Sequence, residues 1–229
     1  MAGAGMKVVG AARRADRLEE LAAAIEEAGC GDFEAVPTDL ADAQSVRGLF
    51  EAAREQWGGV DVLVNAGGVG FAAPLLEADP ADWQQMVDVN IVGLSVATKE
   101  AVEDMHAREG EGHIFHISSM SGHRVPGPGT YGFYAATKFA VRALTEGLRQ
   151  ELRLKKSPVR VTSISPGLVE TEFSAVWSRV PEEEVEEYSK GRYNGYHVLQ
   201  PGDVADAVEY ALAAPQHVAV HDLLLRATD

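Results

Sequence analysis

A chain of 229 residues, 46% of them hydrophobic, has the length of one large globular domain. Its 20 Lys and Arg against 35 Asp and Glu leave a net charge of −15, which repels phosphate backbones and anionic lipid, so no nucleic-acid partner is expected. No apolar run approaches the ~20 residues of a membrane span, and the single cysteine, Cys30, leaves no internal disulfide or multi-thiolate metal site and suits a reducing, cytoplasmic setting.

In chain order, residues 1–6 lack the charged-then-apolar pattern of an export signal, and 6–11 form the first short apolar run. Arg13 and Arg14 follow it, and Leu18, Leu21, Ala22 and Ile25 then repeat at helical spacing. A second run at 35–37 leads through Asp39 to a helix with Asp42 at its cap and Val46, Leu49, Phe50, Ala53 and Trp57 on one face. A third run, 60–64, precedes Asn65, Gly67 and Gly68, and a long helical pattern covers about 82–105. The fourth, 113–117, ends at the serines of 118–121 and is followed by a second long helix over about 133–154. The fifth, 159–164, ends at Ser165, Pro166 and Gly167. Beyond an insertion at 172–200, Asp203 stands at the cap of a helix carrying Val204, Ala207, Val208, Ala211 and Leu212, and 218–225 is the last run.

Most of these runs are continuously apolar, as strands are when helices cover both faces of a parallel sheet. No repeat or linker divides the chain, so residues 1–229 are expected to form one α/β domain around a single open, doubly wound parallel sheet flanked by helices. Ligands of such sheets sit beyond the carboxyl ends of the strands, which marks the polar residues just named as candidates.

Tyr134 and Lys138, four apart in the second long helix, share a helical face. A phenol titrates near 10 and exchanges protons poorly at neutral pH, whereas an adjacent ammonium favours its ionised form. Lys138 is therefore expected to lower the Tyr134 pKa. Tyr131 has Ala135 at its own fourth position and gains no such partner. Standing alone, the pair reads as well as an exposed helix pair. The serines of 118–121 add hydroxyls at the same sheet edge, one to hold a carbonyl oxygen while the phenol delivers a proton. Serines of a solvated turn are the alternative.

With these residues stand Asp39-Leu40, Asn65-Ala66-Gly67, Val89-Asn90, and Pro166-Gly167 followed by Thr171. In that order the set resembles the short-chain dehydrogenase/reductase family, from about residue 5 to 229. Within it, stretches 119–125, 143–153 and 164–171 are most similar to carbonyl and hydroxysteroid reductases and insect farnesol dehydrogenases. The resemblance implies a Rossmann-like fold and hydride transfer between a nicotinamide and a carbonyl. Tyr134 would be the acid in reduction and the base in oxidation, Lys138 would also hold the nicotinamide ribose, and Ser119 would orient the carbonyl. The Ser-x-x-Gly pattern selects Ser119, while the family's commoner spacing back from Tyr134 selects Ser121. Asn90, in a stripe with Trp83, Met86, Val87, Ile91 and Leu94, is implied as part of a water-linked proton relay to Lys138; a helix kink or a backbone partner is the other reading.

Arg13 and Arg14 stand where an acidic residue would bind the ribose hydroxyls of NAD, and guanidinium groups suit the 2′-phosphate of NADP instead. Two solvated arginines at a helix start are the plainer alternative. The resemblance assigns further cofactor contacts to Asp39, Leu40, Asn65, Ala66, Gly67, Tyr134, Lys138, Pro166, Gly167, Val169 and Thr171. Run 6–11 matches the family's second strand, so the first strand and its glycine-rich phosphate turn are expected to be missing, leaving open edges on 6–11 and 60–64.

The insertion carries Phe173, Val176, Trp177, Val180, Tyr193, Tyr196 and His197, an apolar lid for a steroid, isoprenoid or small carbonyl substrate that Ser119, Tyr134 and Trp177 would touch. The glutamates of 182–187 favour a solvated surface excursion instead. His123 reads as a substrate contact or a loop residue. The histidines show no metal-binding spacing, so no metal is expected. The resemblance implies a homodimer or homotetramer through the two long helices, where Ala97, Ala101, Ala140 and Ala143 permit close packing. Two functional readings stand: an NADP-dependent ketone or aldehyde oxidoreductase, and a truncated, catalytically silent scaffold or interaction subunit.

Overall fold

Residues that point alternately to two helix-covered faces meet a packed layer on either side, and the fourth run shows it. The structure, a computed structural model, describes residues 1–127 and 129–228. In β4 (His113–Ile117), Ile114 faces a core of Val46, Phe50, Ala97, Ala101, Met105 and Leu152. Its neighbour Phe115 faces Ala207, Val208 and Ala211 on the other side. These helical residues come from α2 (Ala43–Trp57), α4 (Leu94–Ala107) and α5 (Gly132–Leu154) on one face and α8 (Pro201–Leu212) on the other.

The strands are β1 (Val8–Ala12), β2 (Phe33–Pro37), β3 (Val62–Asn65), β4, β5 (Arg160–Pro166) and β6 (Asp222–Leu225), all paired in parallel. The α/β, Rossmann-like arrangement of a parallel sheet flanked by helices is as expected, but the sheet is not one ladder. β1 pairs β2 with Val8 opposite Phe33, and the other four strands run in the order β3-β4-β5-β6. Among the described residues no strand bridges β1 and β3, so the hydrogen-bonded sheet is in two parts. What joins them is loop and helix packing. Leu40, after β2, fills the space beside Gly67, after β3, where a Cβ would approach its Cδ1 to 2.2 Å.

Helix boundaries follow their caps. Asp42 accepts the Gln44 amide at 2.8 Å and starts α2, which ends on Gly58 at φ 80°. Asp203 lies one turn inside α8 instead of at its cap, accepting the Gln200 amide at 2.7 Å in a reciprocal capping box. The helix expected over 82–105 is interrupted: α3 (Pro80–Val87) passes through a π-helical stretch, Asp88–Gly93, into α4. Gly93 is needed there because a Cβ would lie 2.2 Å from the Leu40 carbonyl oxygen. α1 (Ala15–Glu27) packs on β1 and β2, while the insertion forms α6 (Phe173–Trp177) and α7 (Val185–Arg192).

Candidate active site

β4 delivers the chain to Ser118, and a single tight turn, Met120–Gly122, redirects it toward α5. Ser119 caps this turn, its Oγ accepting the Ser121 amide at 3.0 Å. The turn lies directly on α5: a Cβ on Gly122 would meet the Lys138 carbonyl oxygen at 2.8 Å and Ser118 Oγ at 2.9 Å. Tyr134, Thr137 and Lys138 project from the buried face of α5, and Lys138 Nζ donates back to the Ile117 carbonyl at 3.0 Å. The helix and the strand end are thus fastened together at the residues the sequence singles out.

Burial dominates the electrostatics. Desolvation pushes the Tyr134 phenol up to about 12, with the Ser119 side chain, as a hydrogen-bond partner, pulling the other way. Desolvation also brings Lys138 down to about 8. The expected lowering of the phenol by Lys138 is therefore not what the site does. The ammonium lies over the ring, 5.9 Å from its centroid, and is bonded to the Ile117 carbonyl, while the ring is packed among aromatics. At neutral pH the phenol is a protonated acid.

Asn90 sits in the π-helical stretch and is 1% exposed. Its Oδ1 accepts the Val69 amide at 2.8 Å, and its Nδ2 donates to the Val69 carbonyl at 2.8 Å and to Thr137 Oγ1 at 3.1 Å. Among the described residues no direct bond joins Asn90 to Lys138. They flank Gly68 instead, whose Cβ would lie 3.3 Å from Asn90 Oδ1 and 3.6 Å from Lys138 Nζ. Asn90 thus has the Val69 backbone as a partner and lies in the π-helical stretch.

The candidate cofactor residues lie along the strands' carboxyl ends. Arg13 and Arg14 are exposed after β1, and Arg14 donates to Glu172 Oε2 at 2.9 Å, with Arg17 3.6 Å from the same carboxylate. Asp39 is exposed and accepts the Ala41 amide, Leu40 packs on Gly67, and Ala66 and Gly67 are exposed. The Asn65 amide is buried and donates to Thr98 at 3.0 Å. Pro166 is buried, and Gly167 N–H donates to the Leu225 carbonyl. Val169 bridges Leu199, and the Thr171 carbonyl accepts from Tyr193. Lys138 spends one of its three donors on Ile117, which leaves two for the hydroxyls of a ligand beside Gly68.

Trp177 packs against both Tyr131 and Tyr134. It stacks on Tyr131 at 4.5 Å between ring centroids and meets the Tyr134 ring edge-on at 5.6 Å, with Phe173 5.5 Å from Tyr134. Together they leave Tyr134 8% exposed. Tyr193 is buried in the insertion, bonded to Ser174, whereas Tyr196 is exposed. Ser121 is buried and donates its amide to Ser119, while His123 turns away from the phenol toward Ser165. Sequence reasoning missed Gly70, where a Cβ would lie 2.7 Å from Phe173 and 3.0 Å from both Trp177 and Tyr134. The cue was its place just after Gly67 and Gly68, a small residue where an apolar one belonged. It also missed Phe71 and the Trp83–Phe133 stack, which extend the same wall.

Among the described residues no helix is long and apolar enough to cross a membrane. The short chain dehydrogenase family pattern matches residues 1–181. Dehydrogenase/reductase SDR family member 11 of Bos taurus is 43% identical over 228 residues, covering 98% of this chain and 88% of that one. Farnesol dehydrogenase of Aedes aegypti is 37% identical over 227 residues, covering 99% and 87%. The closed form of serine dehydrogenase complexed with NADP+ superposes with a TM-score of 0.86 at 31% identity, covering 98% and 86%. A family pattern across most of the chain, relatives at this identity and a shared fold agree with the geometry around Tyr134: the chain belongs to the short-chain dehydrogenases.

Proposed function

We propose that this oxidoreductase uses NADP to interconvert a ketone or aldehyde with an alcohol on a hydrophobic substrate, a steroid, an isoprenoid or a small carbonyl compound, in the cytoplasm. The observation that carries the reading is the convergence of the buried Tyr134 phenol, the Ser119 hydroxyl and the Lys138 ammonium under an aromatic wall. When bound, the nicotinamide supplies the hydride in reduction. Lys138, with two donors unspent, holds the ribose hydroxyls, and Arg13 and Arg14 take the 2′-phosphate. Asp39, Leu40, Asn65, Ala66 and Gly67 line the adenosine side, and Pro166, Gly167, Val169 and Thr171 the nicotinamide side. The NADP+ complex of the serine dehydrogenase supports this choice of cofactor.

In reduction Ser119 holds the carbonyl oxygen and Tyr134 donates the proton to it. Asn90 fixes the backbone at Val69 and thereby the floor next to Lys138. Residues 172–200 act as the substrate lid. Because Phe173 and Trp177 cover the phenol, substrate reaches Tyr134 only when α6 moves aside. The two long helices offer the face for a homodimer or homotetramer. The family pattern and the dehydrogenase relatives do not favour the silent-scaffold reading.

NADPH fluorescence and its oxidation in the presence of hydrophobic ketones test the proposal. Enhanced emission on binding and ketone-dependent loss of NADPH are expected. Replacing Arg13 and Arg14 together with Ala is expected to weaken NADPH at least tenfold more than NADH, about 1.4 kcal/mol. Equal losses for the two nucleotides would remove the arginines from the phosphate.

A further inference from the structure

The turn that carries Ser119 is anchored at its far end by a side-chain cluster outside the site described above. His123 Nε2 lies 3.0 Å from Ser165 Oγ at the end of β5 and 3.7 Å from Asp222 Oδ2 at the start of β6. Ser165 Oγ donates to Asp222 Oδ1 at 3.4 Å, so its lone pair accepts from the imidazole N–H. Arg142, one turn beyond Lys138 on α5, donates to the Gly122 carbonyl at 3.1 Å and places Nε 3.9 Å from Asp222 Oδ2. Ser165 is fully buried, and His123 is about three-quarters covered.

The turn itself has little freedom between its ends. Ser119 O accepts the Gly122 amide at 2.8 Å, Met120 O accepts the His123 amide at 3.0 Å, and Ser119 Oγ caps the Ser121 amide. Such a turn moves as a unit. Where His123 is held, Ser119 is held.

We propose that His123, locked by Ser165, Asp222 and Arg142, is a positioning residue that sets the Ser119 hydroxyl against the Tyr134 phenol. It acts on Ser119 through the three residues between them, Met120–Gly122. The inference rests on the proposed roles of Ser119 and Tyr134. A misplacement of about 1 Å at a reacting centre costs up to about 100-fold in rate, so the anchor matters even though it lies behind the site.

The test uses the full chain labelled with 13C at tyrosine Cζ, whose shift reports hydrogen bonding of the phenol without any turnover. Tyr134→Phe identifies the resonance. Ser119→Ala is expected to move it at neutral pH, and His123→Ala to move it in the same direction. His123→Ala is also expected to lower kcat for ketone reduction about 10- to 100-fold, with NADPH affinity within about twofold of the parent. His123→Gln, whose carboxamide can donate to Ser165, is expected to recover most of both. An unmoved resonance in His123→Ala, with Ser119→Ala shifting it, overturns the inference while leaving the proposed site intact. NADPH affinity falling in step with kcat also overturns it, since the residue would then be merely structural. If Ser119→Ala itself leaves the resonance in place, the assignment of Ser119 to the phenol fails. If His123→Ala does not fold, Asp222→Asn is read in the same way.

Discussion

At Tyr134 a local rule and its environment give opposite answers. Four-residue spacing on a helix brings the phenol and the Lys138 amine to one face, and they do share it. Spacing says nothing of where the amine ends. Lys138 reaches the Ile117 carbonyl and lies over the ring, so burial decides the phenol's pKa and raises it to about 12. A group whose ionised form is disfavoured is fully protonated at neutral pH. In the proposed mechanism reduction draws on this acid, so it is expected to keep its rate between pH 6 and 8 at saturating NADPH. Alcohol oxidation, which in the same proposal uses the phenolate, is expected to climb as pH rises through that range, by about tenfold per unit. Initial rates in both directions measure this; oxidation that is flat with pH would contradict it. The neighbouring contacts of the site were not legible in the sequence. Arg14–Glu172 and His123–Ser165 join residues far apart in the chain, and only the fold brings them together.

At the scale of elements, the sequence was informative wherever periodicity and burial coincide. β4 matches its apolar run at both ends because every one of its side chains meets a covering layer. β6 begins four residues later than its run, since the chain at Val218 is still turning onto the Pro215 carbonyl. The break between α3 and α4 was hidden because the apolar stripe continues across it. Asn90 lies within the break, and its amide pairs with both the N–H and the C=O of Val69. Asn90→Ala strands the Val69 N–H and C=O in a buried setting and removes the Thr137 bond, at an expected cost of about 2–4 kcal/mol. A urea midpoint measures it; a loss below about 0.5 kcal/mol would mean that the π-helical stretch holds without its amide.

For the whole molecule, two parallel ladders are held as one body by side chains and loops crossing between them, and a buried histidine ties a strand to two helices of the layer that covers it. His116 of β4 lies 3.1 Å from Thr98 Oγ1 on α4 and 2.8 Å from Thr145 Oγ1 on α5. Burial, with Arg149 and Lys138 adding repulsion, lowers its pKa to about 4. Unfolded, it binds a proton below about 6.5; folded, it resists until about 4, so its share of stability is present above 6.5 and is lost as pH falls from 6.5 to 4. That share is about 3 kcal/mol. His116→Gln is expected to flatten the decline of unfolding free energy across this window, and a slope identical to the parent's would assign the acid sensitivity elsewhere.

The proton path through Tyr134 is tested most directly by replacing that one hydroxyl. Stopped-flow observation of a single turnover, with NADPH prebound and a hydrophobic ketone added, compares the parent with Tyr134→Phe. The phenylalanine variant is expected to bind NADPH as the parent does and to oxidise it at least a thousandfold more slowly, about 4 kcal/mol of lost transition-state stabilisation. Hydride transfer at the parental rate in the absence of the phenol would contradict the mechanism.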